Sequence, residues 1–89
     1  MKELLQHPEA RRQYRLFQSM KPGAVLIYHV GHLATDAPKR PDLQAVRALM
    51  TALHERGLCR LSQRRIDDGC YHYLATKALP PAPAQQPQG

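Results

Sequence analysis

Apolar positions recur along this chain with three different rhythms. In "PEARRQYRLFQSM", residues 8–20, Ala10, Tyr14, Leu16, Phe17 and Met20 share one side of a 3.6-residue period. Arg11, Arg12 and Arg15 fall on the other side. The spacing predicts a helix, with Pro8 at the first helical position, where its missing N–H costs nothing. "KPG" at 21–23 stops it and turns the chain. In "AVLIYHVGHLA", residues 24–34, the run is β-branched and aromatic and is apolar on both faces up to Tyr28. That predicts a strand covered on both sides or paired centrally, with Gly31 marking a bulge or the close approach of another backbone. "TDAPKR" at 35–40 reads as a loop.

The helical rhythm returns in "PDLQAVRALMTALHER", residues 41–56. Leu43, Val46, Leu49, Met50 and Leu53 make a broad apolar side, which predicts a largely buried helix. Gln44, Arg47, Thr51, His54 and Glu55 form its narrow polar side. Gly57 fits the C′ position, with Leu58 placed to touch Leu53 as in a Schellman motif. Residues 58–66 and 70–77 then read as two strands joined by Asp67-Asp68-Gly69. A three-residue loop with Gly69 left-handed puts Leu61 opposite Ala75, Gln63 opposite Tyr73 and Arg65 opposite Tyr71. Cys59, Leu61, Tyr71, Tyr73 and Ala75 then share the inner face. Arg60, Ser62, Arg64, His72 and Leu74 take the other. A two-residue turn would exchange the faces, since one step of register does so.

The expected fold class is α+β in the order α-β-α-β-β. Two helices pack on one face of a three-stranded antiparallel sheet whose last strand lies between the other two. Residues 1–78 form a single domain. Residues 79–89, ending in "PPAPAQQPQG", are expected to be a disordered Pro- and Gln-rich tail, because they carry almost nothing to bury. Roughly 75 residues remain to fold, enough for one small core but not for a large enclosed active site.

Composition adds a sign of charge. Thirteen Lys and Arg against seven Asp and Glu give +6, which points to an anionic partner: nucleic acid or an acidic protein surface. No apolar stretch has the length of a signal core or a membrane span, and two cysteines are too few for a disulfide scaffold. The expected setting is the cytoplasm, with no membrane partner.

Residues 49–76, "LMTALHERGLCRLSQRRIDDGCYHYLAT", resemble the last helix and wing of winged-helix proteins. "YHVGHLATD" at 28–36, with "LSQRR" and "YHYLA", resembles small uncharacterised proteins encoded by bacteriophages and prophages, over residues 24–76. The resemblance implies a regulator or inhibitor acting in a bacterial host. The pattern departs from a full winged helix at "TDAPKR", whose six residues are too few for a further helix and two turns. The expectation is therefore a reduced winged-helix-like fold.

Several constellations bear on function. Arg60 and Arg64 project together from the hairpin, Arg65 lies near Tyr71, and His72 is beside them; guanidinium groups there suit phosphate contact. Arg11, Arg12 and Arg15, with Lys21, make a second basic patch. Arg47 and Gln44 carry side chains of the kind that read base edges, although every amphipathic helix has such a stripe. Cys59, Cys70 and His72, with His54, invite a metal reading, but no close Cys-x-x-Cys or His-x-x-x-His pair supports it, so no metal or other cofactor is expected. No phosphate loop, nucleophile elbow or paired carboxylates are present, so the chain reads as non-enzymatic. Duplex DNA binding through a basic wing is the leading expectation. The alternative is an inhibitor of a host protein, of the anti-CRISPR or host-takeover kind.

Overall fold

The computed structural model describes residues 2–79. The tail expected to be disordered therefore lies, from residue 80 on, outside the described residues. The chain is α+β: a 3₁₀ turn at Lys2–Leu5, then α1 (Pro8–Ser19), β1 (Val25–Gly31), α2 (Leu33–Asp36), a 3₁₀ turn at Ala37–Lys39, α3 (Pro41–Glu55), β2 (Cys59–Asp67) and β3 (Cys70–Lys77). The three strands form one antiparallel sheet in the order β1-β3-β2, as the sequence predicts.

The helices begin and end where local chemistry requires. The His7 side chain accepts the Glu9 N–H through Nδ1 at 3.1 Å, which caps α1 ahead of Pro8. At the far end of α3, Gly57 N–H reaches His54 O and Leu58 N–H reaches Leu53 O, both at 2.9 Å. These are the two hydrogen bonds of the expected Schellman motif. Leu58 itself stays 44% exposed.

One core cluster joins α1, α3 and the sheet through Ala10, Phe17, Val46, Leu49, Met50, Leu53, Cys59 and Ala75. Leu4 and Leu5 of the first 3₁₀ turn pack against it. Arg11 fastens that turn by donating to Leu5 O at 2.8 Å and Gln6 O at 2.7 Å. Lys77, at the end of β3, donates to three carbonyls at the C-terminus of α1: Phe17 and Gln18 at 3.1 Å and Met20 at 2.8 Å. Its ammonium also lies 5.3 Å from the centre of the Phe17 ring. A cation is favoured there because the last carbonyls of a helix lack internal donors and carry its negative end.

Four expectations need correction. The segment expected to be a loop is helical, so three α-helices stand where two were expected. Its turns are held by one distant and one local partner: Tyr73 Oη accepts the Leu33 N–H at 2.9 Å, and Asp36 Oδ2 accepts the His32 N–H at 3.0 Å. Strand β1 is neither central nor covered on both sides. It is a sheet edge, and Val25, Ile27 and Val30 are each about half exposed on its outer face. Leu16 is exposed on α1, and Gln13 is buried instead, its amide donating to Glu9 at 3.1 Å.

The hairpin supplies the fourth correction. Asp67 pairs with Cys70, so the connection is the two residues Asp68 and Gly69, with Gly69 at φ +68°. The expected pairs of Leu61 with Ala75, Gln63 with Tyr73 and Arg65 with Tyr71 nevertheless hold. A bulge at Ile66 absorbs the extra residue, and so the faces do not exchange. Cys59, Tyr73 and Ala75 are buried on the inner face, while Arg60 and Arg64 lie exposed on the outer.

Leu49 and Leu53 are fully buried, so truncating either to Ala should cost about 2–5 kcal/mol, a large share of such a domain's stability. Urea unfolding of the two variants is the measurement, and the midpoint should fall with little change in slope.

Candidate nucleic-acid interface

The cations of this protein divide by whether a local partner holds them. Arg12 is paired with Glu9 at 2.6 Å and Arg40 with Asp42 at 2.8 Å. Arg65 is paired with Asp68 across the hairpin turn, and Arg11 is spent on backbone carbonyls. Arg15, Arg47, Arg60 and Arg64 have no acidic or hydrogen-bonding partner among the described residues and are exposed. Hydrogen bonds from Arg12 and Arg40 hold the carboxyls of Glu9 and Asp42 below their ordinary values.

Position then divides the unpaired ones between the two faces of the sheet. Arg60 and Arg64 alternate along the outer face of β2, and His72 sits directly across from Arg64 on β3. Arg47 projects from α3 on the other side of the same strand. With Thr51 it forms one wall of an open groove of about 390 Å³; Ser62 and Gln63 of β2 line the opposite wall, and Tyr28 and Tyr73 lie at its floor. Gln44, Arg47 and Thr51 also border a shallow depression of about 500 Å³ on the far flank of α3. The polar stripe of α3 is therefore a ridge between two grooves, with the hairpin standing beside it. Burial raises the Tyr28 hydroxyl above its ordinary value, and the charge of Arg47 works against that rise. His54, near the end of the stripe, donates from Nδ1 to Cys59 O at 3.2 Å and is thereby tied to the start of β2.

Beneath the groove, aromatic rings brace β1 against β3. Tyr73 has Tyr28, His29 and Tyr71 around it at centroid distances of 6.3, 5.8 and 6.1 Å, and His32 stands 6.1 Å from Tyr71. His29 donates from Nε2 to Asp36 Oδ2 at 2.8 Å, and this ring edge is almost fully buried. Gly31 makes that approach possible. Its φ is +141°, and a Cβ there would lie 2.6 Å from Asp36 Oδ2 and 3.1 Å from His29 Nε2. The close approach foreseen at Gly31 is thus by a side chain, and the β-bulge falls earlier, between Ile27 and His29.

The four groups weighed for a metal are not brought together. Cys59 pairs with Lys77 and Cys70 with Asp67, at opposite ends of the hairpin. Cys59 is buried, which raises its thiol above the ordinary value and keeps it protonated at neutral pH. Among the described residues, no three His, Cys, Asp or Glu side chains could hold a metal ion together. No helix among them is long and apolar enough to cross a membrane.

Sequence reasoning found Arg47, Arg60 and Arg64 but read Ser62 and Gln63 only as strand positions. Their place in the groove depends on α3 packing beside β2, which periodicity within either element cannot reveal. No family model, curated protein or solved structure matches this chain.

The bonds from His29 and from the His32 N–H hold the Asp36 carboxyl below its ordinary value. A depressed carboxyl contributes stability that is complete above its unfolded-state value and is lost as pH falls through the folded one. Asp36→Asn should therefore lower the melting temperature near neutral pH and bring the variant and wild-type curves together in acid. Thermal melts across that range check it; a difference independent of pH would show that the charge on Asp36 is immaterial.

Proposed function

We propose that this protein is a non-enzymatic binding module for duplex DNA, acting as a regulator of the bacteriophage or prophage type in the cytoplasm of a bacterial host. The observation that carries the reading is the shared groove. Arg47 and Thr51 on α3 face Ser62 and Gln63 on the hairpin, and the unpaired Arg60 and Arg64 flank those two residues on the outer face of the same strand. A helix with exposed Gln and Arg side chains can enter a major groove, while guanidinium groups on an adjacent hairpin reach the flanking phosphates. The winged-helix reading rests on the element order. A four-residue helix, α2, precedes α3, and β3 lies between β1 and β2, which is compatible with a winged sheet. On this reading α3 is the recognition helix, Arg47 and Gln44 its base-facing side chains, and Arg60 and Arg64 the phosphate contacts. Arg15, Arg11 and the partly neutralised Arg12 and Arg65 contribute to the general positive field, and His72 offers a hydrogen-bonding ring beside Arg64.

Salt dependence tests this directly. Removing one phosphate-binding cation should lower the slope of log K against log salt by about 0.9, so Arg60→Ala with Arg64→Ala should flatten it by nearly two units and weaken binding to many sequences alike. The melting temperature should hardly change, because exposed charges contribute little to folding. Fluorescence anisotropy with labelled duplexes is the measurement. If the wild type shows no salt-dependent binding at low ionic strength, the hairpin is not a DNA contact, and inhibition of a host protein through an acidic surface becomes the leading reading.

A further inference from the structure

The two edges of the sheet are built differently. On β2 the open edge carries Arg60, Arg64, Arg65 and Asp67, the kind of charges that keep strands from pairing edge to edge. The other edge is β1, "VLIYHVG", which has no Lys, Arg, Asp or Glu. On its outer face Val25, Ile27 and Val30 are 52, 48 and 53% exposed. Backbone direction adds to the contrast. Lys77 N–H donates to Ala24 O and Lys77 O accepts from Gly23 N–H, so Lys77 turns toward β1, whereas Ala78 N–H turns toward Leu58 O. Carried along the ladder, this alternation points the Leu26 groups at Ala75 and leaves the N–H and C=O of Val25 and Ile27 facing the open edge.

We infer that this edge pairs with the same edge of a second copy of the chain. An antiparallel arrangement about a two-fold axis at Leu26 sets Val25 of each copy opposite Ile27 of the other. Their free N–H and C=O groups then satisfy one another, and their β-branched side chains form cross-strand pairs on one face. This regular stretch lies ahead of the bulge between Ile27 and His29, which would interrupt a longer ladder. Charge favours the same solution. With strands about 4.8 Å apart, Arg60 and Arg64 of the two copies lie roughly 24 Å from each other across a six-stranded sheet, about three Debye lengths at physiological salt. A β2–β2 pairing would instead bring the arginines face to face. One short strand per copy makes a small interface, so the association should depend on concentration.

Sedimentation velocity on the full chain without DNA tests the pairing, and its outcome does not depend on the DNA-binding reading. The wild type should move from monomer to dimer as concentration rises and should keep doing so at raised salt, which weakens DNA binding. Ile27→Lys places a charge on the edge and should leave a monomer throughout. Leu58→Lys, at an exposed apolar position elsewhere, should dimerise like the wild type. Val25→Lys gives a second reading should Ile27→Lys fail to fold by circular dichroism. Amide exchange at Val25 and Ile27 in the wild type gives a third that needs no variant, and it should slow as the dimer forms. A wild type that stays monomeric to the highest soluble concentration overturns the inference. So does a dimer that persists in the folded Lys variants, or one whose Val25 and Ile27 amides exchange as fast as in the monomer.

Discussion

The inward side chains of β3 hold three other elements in place. The Tyr73 hydroxyl accepts the N–H that starts α2, Ala75 leaves room for the apolar side of α3, and the Lys77 ammonium closes the carbonyl end of α1. The strand also lies between the other two, so both ladders of the sheet run through it. An inward position that was larger than Ala75 or lacked the polar tips of Tyr73 and Lys77 would disturb a helix as well as a strand. The functional surface inherits this dependence. The groove between α3 and β2 is lined by Tyr73, and Ala75 of the same strand shares the core cluster with the apolar side of α3.

Charge is distributed in keeping with that scaffold. Where an arginine lies near a helix start or a turn, a neighbouring carboxylate or carbonyl takes it up, as Glu9 does Arg12 and Asp68 does Arg65. On α3 and the outer face of β2, Arg47, Arg60 and Arg64 pair with no acid among the described residues, although Glu55 borders the same flank of α3 as Arg47, and the guanidinium groups stand ready for an external anion. The net positive charge alone does not make this distinction, because it counts the neutralised arginines together with the free ones. At the other edge of the sheet β1 carries no Lys, Arg, Asp or Glu, so one small sheet offers an anion-seeking edge and an apolar one.

Much of this was legible in the sequence because it is local. Apolar spacing located α3, Gly57 and Leu58 announced its end, and Asp-Asp-Gly with the flanking alternation gave the hairpin register. What was not legible depends on partners distant in sequence. Nothing in "LATDAPK" favours a helix strongly, and the turn forms because Tyr73, 40 residues later, accepts its first N–H. The apolar composition of β1 suggested burial on both faces, yet the helices cover only one. On α1 Leu16 left the buried side where it was expected, and Gln13 is buried, for a similar reason: periodicity gives the stripe, and packing decides its centre. In the candidate site, Arg47, Arg60 and Arg64 were read from residue type and position, whereas Ser62 and Gln63 joined them only once α3 and β2 were placed side by side.

The central claim is that the α3–β2 groove is the surface that meets nucleic acid. Amide chemical-shift mapping during titration with a short duplex tests it residue by residue. The account predicts that the shifts concentrate at Gln44, Arg47, Thr51, Ser62, Gln63 and Arg64 and fade as salt is raised, while Val25 and Ile27 stay unmoved. Shifts confined to β1, or none at low salt with the protein folded, would contradict it.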